Sequence, residues 1–359
     1  MSGKQHNINI KIRKLGGREM KKLFMLMVIM VFTVVLLAGC GSKEAESDGA
    51  DGEASSYTIR VAHVCGAGSP FDYGAQEFKK LVEERSNGRI SVEVFAGDMT
   101  TDEIEGVEMA QSGNLEIMWV STGSIGGFVP NLSIFEMPFL FDGPEHVEKA
   151  LASEFGTKIL DEVSAVEGLE AIAFHEDGWR NILTKDVVIN SVEDMKGVRM
   201  RSMMNEVCVS MYEALGAIPI SVSSGEIYTS LQTNVVSGQD NSFLYAVADG
   251  YIEAINSAAI IHHFYSGGIV VAGDSWWSGL SAEDQEMIQS AAQEAGAAQR
   301  AWFMDSDEAL IEEYKAKGYT ITYPEDRDAW RVAVQPVYDK QLAAHPEWKE
   351  LIDIIDSVR

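Results

Sequence analysis

The chain has 359 residues, with 55 Asp or Glu against 28 Lys or Arg, and its formal net charge is −27 at pH 7. Such an acidic protein repels nucleic-acid phosphates and anionic lipid headgroups, so nucleic-acid binding is excluded. A small anion can still bind locally, because the repulsive field fades over a Debye length of about 8 Å at physiological salt.

The first 40 residues predict an exported protein. Two lysines precede an apolar run over residues 23–37, and Leu-Ala-Gly-Cys follows at residues 37–40. Because the run is short for a membrane-spanning helix and ends in small residues, we interpret residues 1–39 as a signal peptide. An uncleaved membrane anchor is the alternative. Met20 would begin a signal of ordinary length, so we hypothesise that translation starts there.

The end of this segment predicts a lipoprotein. The tetrapeptide at residues 37–40 resembles a bacterial lipobox, which implies cleavage before Cys40 and attachment of lipid, including palmitate, to its thiol. Residues 1–39 hold seven of the Lys and Arg and one of the Asp and Glu, so cleavage shifts the formal charge from −27 to −33. Residues 41–56 contain only small, polar and charged side chains, so we expect residues 40–56 to be a lipidated cysteine and a flexible acidic tether.

The rest of the chain predicts an α/β protein of two lobes. About 300 residues follow the tether, which suits two units of domain size better than one core. Strand patterns alternate with helical spacing, and this alternation favours a largely parallel sheet. The strand patterns cover residues 58–64, 90–95 and 115–120, and the helical ones cover residues 71–86 and 104–111.

The second lobe is predicted as an insertion. A strand over residues 169–174 leads to a crossing near Arg180, and an apolar region over residues 260–271 returns. Ser281 opens a capping pattern, and no proline interrupts the helical spacing up to residue 317, so one long helix could span both lobes. The predicted bounds are residues 57–178 plus about 267–305 for lobe I, and residues 179–266 plus about 306–359 for lobe II.

Cys65 and Cys208 are the cysteines of the mature domain besides Cys40. In an exported protein they could pair, but two cysteines so far apart define no disulfide framework. Two buried free thiols are the other interpretation, since a free cysteine behaves as a small hydrophobe.

A short strand with two arginines is the strongest candidate for an anion site. Arg199 and Arg201 point to the same face, because side chains alternate along a strand. Helical segments follow, and then a polar Gly-Gln-Asp-Asn sequence at residues 238–241 that we predict to be a turn. A pair of cations in so acidic a chain indicates a local receptor for an anion.

Short motifs recur through the mature chain in a fixed order. They lie at residues 78–84, 87–89, 111–113, 129–130, 138–141, 178–180, 194–201, 214–217, 226–228 and 231–233. In order and spacing the chain resembles the DctP-type solute-binding subunits of tripartite ATP-independent periplasmic (TRAP) transporters. The resemblance implies a periplasmic-binding-protein-like fold of two lobes, which close on a ligand in the cleft.

The resemblance also assigns roles to individual residues. It implies that Arg201 pairs with the ligand carboxylate, and a guanidinium suits this role because its planar fork matches a carboxylate. Arg180 and Asn241 correspond to further family positions at the ligand. Arg199 is interpreted as an ordinary surface charge, since the family commonly has lysine there.

Departures of this chain from the family pattern indicate residues that could determine which ligand binds. Ser224 stands where the family often has an aromatic residue, just before the motif that contains Tyr228, and both are predicted to contact the ligand. The acids of the turn before Asn241 are altered, which puts its positioning network in doubt. Trp119 ends a predicted parallel strand, where α/β clefts present ligand contacts, although a core position fits it equally well.

Enzyme motifs give little support to catalysis. His262 and His263 are adjacent and would point to opposite faces of a strand, which suits a metal poorly. Glu226 lies near Tyr228 but more plausibly braces its helix. We therefore expect no enzyme, metal or cofactor, and we predict a monomeric, lipid-anchored, extracytoplasmic binding protein.

We expect this protein to deliver a small organic acid to the small and large TRAP membrane subunits. A sensory binding lipoprotein is the alternative, and a secreted hydrolase is a weaker one. The ligand stays open between a C4-dicarboxylate, a sugar acid, a lactate-like hydroxy acid and an aromatic carboxylate.

Overall fold

The computed structural model describes residues 56–359. The predicted signal peptide, the predicted lipidation site Cys40 and nearly all of the predicted tether lie outside the described residues. Nine strands form one sheet. They are β1 Tyr57–His63, β2 Ile90–Ala96, β3 Ile117–Ser121, β4 Leu169–Thr184, β5 Arg199–Ser202, β6 Ile218–Ser221, β7 Gly238–Asn241, β8 Ser257–Gly273 and β9 Thr320–Thr322.

Twelve α-helices surround the sheet in the described part of the chain. They are α1 Pro70–Arg85, α2 Glu103–Gln111, α3 Pro144–Leu151, α4 Glu154–Ser164, α5 Glu206–Ala214, α6 Ile227–Gln232, α7 Phe243–Ala248, α8 Asp274–Trp277, α9 Ala282–Ala316, α10 Arg327–Ala333, α11 Gln335–Ala344 and α12 Trp348–Asp356. Four short 3-10 helices lie at Pro130–Glu136, Val192–Met195, Ser224–Glu226 and Tyr251–Ala254.

The sheet is mixed, with two parallel groups joined by an antiparallel centre. Its order is β2-β1-β3-β8-β4-β7-β5-β6, and β9 pairs with β8. Strands β1–β3 are parallel to one another, as are β5–β7, whereas β8 pairs antiparallel with β3 and β4, and β4 pairs antiparallel with β7. The largely parallel sheet predicted from sequence is therefore correct for each group and wrong for the centre. Two long strands must run in opposite directions because the chain passes from lobe I to lobe II and back.

Strand β4 bends where the sequence predicts the crossing. It is 16 residues long and pairs with the 17-residue β8. Its register shifts between Glu176 and Gly178 and again between Arg180 and Ile182. Bulges of this kind bend a strand and re-aim its side chains. They carry the chain from lobe I (β1–β3, α1–α4) into lobe II (β5–β7, α5–α7).

The residue bounds of the lobes stay a prediction, and one contact departs from them. Helix α12, within the 306–359 segment predicted for lobe II, packs on α4 of lobe I. The Trp348 indole donates to Asn131 Oδ1 at 2.7 Å, and the Lys158 ammonium lies 2.5 Å from Glu350 Oε1. The C-terminal helices therefore contact both lobes.

Successive side chains of the lobe I strands point to opposite faces of the sheet and pack into two different hydrophobic cores. On β3, Ile117 and Trp119 belong to the core under α1 and α9, whereas Met118 and Val120 belong to the core on the opposite face. This period of two is the pattern expected of a strand covered on both faces. A third core lies under α6 and α7 in lobe II.

The long helix predicted from residue 281 onward is α9, Ala282–Ala316. The Ser281 hydroxyl caps its first turn by accepting from the Asp284 amide at 3.1 Å. The helix packs against α1 and β4 and, further along, against α7 of lobe II and β9. No helix among residues 56–359 is long and apolar enough to cross a membrane.

Gly296 allows α9 to lie close to β4. A β-carbon at this position would collide with the backbone carbonyl oxygen of Phe174. Alanine is the better helix former by about 1 kcal/mol, but overpacking a core costs about 1–3 kcal/mol. Gly296→Ala should therefore lower the free energy of unfolding in a urea titration. Gln293→Ala, at an exposed position of the same helix, is the control and should change it by less than about 0.5 kcal/mol. A more stable Gly296→Ala protein would contradict this close approach.

The two cysteines are not paired. Cys65 and Cys208 are both free and buried, and burial raises the pKa of each thiol well above its usual value. The structure therefore favours the interpretation as buried thiols.

Candidate ligand-binding site

A narrow cavity of about 30 Å³ lies between the lobes, beside the bends of β4. Strands and helices of both lobes contribute its walls. The lining residues are Val64, Cys65, Phe71, Glu103, Ser121, Asp177, Arg180, Arg201, Met203, Ser224, Ile227, Asn241, Tyr245, Asp249 and Tyr251. Four of the six predicted site residues are among them, namely Arg180, Arg201, Ser224 and Asn241.

Arg201 is a buried cation without an acidic partner. Its strand exposes Arg199, which donates to the Asn234 carbonyl at 2.9 Å, and buries Arg201 to 3% exposure. The Nε atom of Arg201 donates to the Val222 carbonyl at 2.9 Å, and no carboxylate of the described residues lies within ion-pair distance of the guanidinium. Burial lowers the pKa of Arg201. A guanidinium removed from water and left without a counter-ion favours the binding of an anion.

Arg180 is equally buried but is already neutralised. Its Nε donates to Asp240 Oδ1 at 3.0 Å, and its Nη1 donates to Asp177 Oδ2 at 3.2 Å. Although burial acts to lower the pKa of Arg180, the two carboxylates raise it above its usual value. Nη2 adds a bond to the Asp240 carbonyl at 3.0 Å. Arg180 therefore braces the cavity wall, and Asp177 and Asp240 largely neutralise its charge.

The predicted turn at residues 238–241 is in fact strand β7, and all four of its residues are buried. A β-carbon on Gly238 would lie 2.8 Å from Thr184 Cγ2 and 2.9 Å from Met200 Sδ, so glycine lets β7 fit between its neighbours. The polar residues predicted a turn, but the side chain of Asp240 is satisfied by tertiary partners instead. Asp240 accepts from Arg180 and from the Tyr212 hydroxyl.

Asn241 and Ser224 face the cavity from lobe II. Asn241 follows Asp240 at the end of β7 and is 6% exposed. Ser224 begins the 3-10 helix Ser224–Glu226, and its carbonyl accepts from the Tyr251 hydroxyl at 3.5 Å. Ser224 also lines a small adjoining space, together with Glu103, Ser124 and Ser223. The small side chain thus stands where the two spaces meet.

The structure does not place Trp119 or Tyr228 in the cavity. Trp119 is fully buried in the core, where a β-carbon on Gly74 would lie 2.5 Å from its ring. Its strand ends two residues later, and Ser121 lines the cavity in its place. The Tyr228 hydroxyl accepts from Gln232 Nε2 at 2.7 Å on the surface of α6, whereas Ile227 lines the cavity. Both positions have the same cause, since the direction in which a side chain points depends on what packs against its helix or strand.

Sequence reasoning missed three carboxyl groups in the cavity walls. Asp177 lies next to the Gly-Trp-Arg motif and could have been noticed there. Glu103, in the first turn of α2, accepts from the Ser121 amide at 2.7 Å and from its hydroxyl at 2.8 Å. Asp249 accepts from the Gly66 amide at 2.8 Å and from the Tyr251 hydroxyl at 3.0 Å. Neither Glu103 nor Asp249 belongs to a local motif, so only the fold brings them to the site.

Two contacts join the lobes across the cavity. The bond from the Gly66 amide to Asp249 connects lobe I to the end of α7 in lobe II. Asn205 caps α5 through its Oδ1, which accepts from the Val207 amide at 2.8 Å. Its Nδ2 donates across the cleft to the Gly123 carbonyl at 3.2 Å and to the Ser133 hydroxyl at 3.0 Å. Hydrogen bonds at Asp249 and at Asn205 therefore hold the two lobes together.

The adjacent histidines His262 and His263 lie where burial disfavours their charged form. His263 is buried, and burial lowers its pKa to about 4. His262 lies in a bulge of β8 with φ of 48°, and burial likewise lowers its pKa to about 4. Among residues 56–359, no group of three or more His, Cys, Asp or Glu side chains is placed to hold a metal ion. Glu226 accepts from the Ser223 hydroxyl at 2.9 Å, which braces the start of its helix.

Two α/β lobes around a polar cleft, joined by long bent strands, define the class of periplasmic-type binding proteins. The family described as bacterial extracellular solute-binding protein, family 7 (DctP), matches residues 61–345, and the chain belongs to this family. The resemblance predicted from sequence is therefore confirmed, and with it the two-lobe fold. Solute-binding proteins of this kind act outside the cytoplasm.

Relatives and solved structures agree with this assignment. A solute-binding protein of Chromohalobacter salexigens is 27% identical over 283 residues, covering 79% of this chain and 84% of that protein. The sugar acid binding protein of Advenella mimigardefordensis, solved with galactonate, has a TM-score of 0.81 and 26% identity, covering 85% of this chain and 99% of that chain. A TRAP solute-binding protein of Pseudomonas putida, solved with D-glucuronate, has a TM-score of 0.79 and 30% identity, covering 84% and 98%.

Proposed function

We propose that this protein captures a small organic acid through its carboxylate and delivers it to the membrane subunits of a TRAP transporter. The observation that carries the proposal is Arg201, which is buried in the cavity wall and has no carboxylate partner. A ligand carboxylate would supply the missing counter-ion and could accept two parallel bonds from the guanidinium. Arg180, already paired with Asp177 and Asp240, would brace this wall, and Asn241 and Ser224 would contact the ligand.

The ligands of similar proteins support an acid. The solved structures just described contain galactonate and D-glucuronate. An Escherichia coli relative, 25% identical over 286 residues, is a 2,3-diketo-L-gulonate-binding periplasmic protein. Each of these molecules carries a carboxylate.

Asn205 allows a test of whether lobe closure contributes to affinity. Asn205→Asp keeps the oxygen that caps α5 but removes the Nδ2 donor that reaches Gly123 and Ser133. Losing two hydrogen bonds of about 1 kcal/mol each should weaken ligand binding by roughly 10-fold or more. Calorimetric titration with the identified acid measures the change. Asn234→Asp, at a position remote from the cleft, should bind as the wild type does. Equal affinities of both variants would show that these bonds do not hold the closed state.

The function is tested by identifying the solute. Mass spectrometry of the protein purified under native conditions should release an organic acid, and calorimetry should show that this acid rebinds. The acid should be recovered unchanged after incubation, as expected of a binding protein and not of a hydrolase. Accumulation of the acid by proteoliposomes that contain the TRAP membrane subunits should require the protein. A retained solute without a carboxylate would refute the proposal.

We propose in addition that the protein is a monomer anchored through Cys40 to the outer face of the cytoplasmic membrane. The lipobox-like residues 37–40 support the anchor, and the acidic tether behind them would let the domain reach the membrane subunits. Cells grown with labelled palmitate should label the protein, and Cys40→Ser should abolish the label and release the protein from membranes. Labelling of the Cys40→Ser protein would contradict the assigned residue.

A further inference from the structure

The charges in the cavity are unusual for a receptor of anions. Arg180 and Arg201 are the only basic side chains lining it among the described residues, whereas three carboxyl groups line it, namely Glu103, Asp177 and Asp249. Arg180 is paired with Asp177 and, behind the wall, with Asp240. Only Arg201 is left to neutralise a ligand.

A ligand with two carboxylates would therefore have one of them without a cation. That second carboxylate would approach Glu103 or Asp249, and like charges placed together at an interface cost several kcal/mol. Screening by water would relieve this cost only in part, because Glu103 is buried, with an exposure of 6%, and Asp249 is half-buried. The walls thus disfavour C4-dicarboxylates of the kind bound by several relatives.

Both carboxyl groups keep acceptor capacity for a ligand. An ionised carboxylate has about four lone-pair positions, and the hydrogen bonds from the protein leave some of them free at each group. Glu103 receives the amide and hydroxyl of Ser121, and Asp249 receives the amide of Gly66 and the hydroxyl of Tyr251. Burial raises the pKa of both groups, while the hydrogen bonds that they accept oppose this shift. A ligand hydroxyl can donate to the remaining acceptor positions of either carboxylate without adding a charge.

From these contacts we infer that the ligand is a polyhydroxylated monocarboxylate, a sugar acid, with its carboxylate on Arg201 and its hydroxyls on Glu103 and Asp249. Ser121, Ser224 and Tyr251 add hydroxyl groups to the same walls. The inference rests on the proposed function and deepens it, since it names the acid by class and assigns Glu103 and Asp249 as residues that determine specificity.

A pair of four-carbon acids gives the sharpest test, because size is matched and charge is not. D-erythronate has one carboxylate and three hydroxyls, whereas L-malate has two carboxylates and one hydroxyl. Protein freed of retained solute by unfolding in guanidinium and refolding is titrated calorimetrically with both, and with D-glucuronate, D-galactonate, succinate and the zwitterion ectoine. At least one of the three sugar acids should bind about 100-fold more tightly than malate and succinate.

Other outcomes of the titration overturn the inference. The inference is wrong if malate or succinate binds at least as tightly as every sugar acid, or if ectoine binds more tightly than all of them. It is also wrong if none of the three sugar acids binds. If malate binds and Arg201→Ala abolishes that binding, the sugar-acid inference fails while the proposed function stands. If a sugar acid binds equally well to the Arg201→Ala protein, the proposed anchor fails instead.

The Glu103→Gln substitution tests whether the charge of Glu103 in the cavity wall disfavours dicarboxylates. Glutamine keeps the shape and one acceptor oxygen but removes the charge, so the preference for D-erythronate over L-malate should fall by about tenfold or more. Glu108→Gln, on an exposed position of the same helix, should leave the preference unchanged. The same preference in both variants, with both proteins folded by circular dichroism, would show that Glu103 does not face the ligand.

Discussion

Replacing Arg201 with alanine should abolish measurable binding of the ligand. Truncating one partner of a buried, hydrogen-bonded charge pair costs about 2–5 kcal/mol, which corresponds to roughly 30- to 5,000-fold in affinity. Calorimetric titration with the acid released from the wild-type protein measures the loss. Arg201→Lys should recover only part of the affinity, because an ammonium group lacks the planar fork of a guanidinium.

Arg199 provides the matched control for this experiment. It lies on the same strand, two residues away, but it is exposed and bonds to the Asn234 carbonyl. Arg199→Ala should therefore bind the acid as the wild type does. Unchanged binding by the Arg201→Ala protein, or an equal loss in both variants, would refute the assignment of Arg201 as the anchor.

Replacing Arg180 with alanine should instead lower the free energy of unfolding of the protein. Removing this cation leaves the buried carboxylates of Asp177 and Asp240 without their partner, and breaking a buried pair in this way costs about 3–5 kcal/mol. Arg201→Ala leaves no unpaired carboxylate, so its free energy of unfolding should fall much less. Urea titration of both variants measures the difference, and an equal loss of stability would contradict the separate roles of the two arginines.

The Arg180→Ala protein should also show a distinct pH dependence. Burial acts to raise the pKa of both Asp177 and Asp240, and the charge of Arg180 opposes this effect. Without Arg180 the folded-state pKa of each carboxyl group should exceed its unfolded value. The folded state then binds more protons than the unfolded state, so stability falls as the pH rises through the folded-state pKa. The variant should thus recover stability towards acidic pH, relative to the wild type. A deficit that stays constant with pH would argue against unpaired carboxylates.

Local patterns in the sequence predicted several elements correctly. The capping pattern at Ser281 and the absence of proline predicted α9 within a residue at each end. The alternation of side chains along β5 correctly placed Arg199 and Met200 on opposite faces of the strand. It could not predict that Arg201 is buried and Arg199 exposed, because these two side chains lie on the same face. The family motifs indicated Arg201, and its burial without a carboxylate partner agrees with that prediction.

Other features could not be predicted because they depend on distant partners. The sequence at residues 238–241 looks like a turn, yet it forms a buried strand because Arg180 and Tyr212, remote in sequence, satisfy Asp240. Trp119 stands at the end of a strand as a cleft residue would, yet Gly74 leaves room for its ring in the core. The antiparallel centre of the sheet follows from the return of the chain between lobes.

Local patterns along the chain were enough to predict the two α/β lobes and the long helix, and the resemblance of its ordered motifs to a known family predicted the class of protein and the arginine now proposed as the anchor. The neutralisation of Arg180, the lack of a carboxylate partner at Arg201 and the shared cavity of Glu103 and Asp249 became visible only in the folded structure. Charge pairing and burial depend on side chains that are far apart in the sequence, and the fold alone brings them together. Glu103 and Asp249, for example, are 146 residues apart.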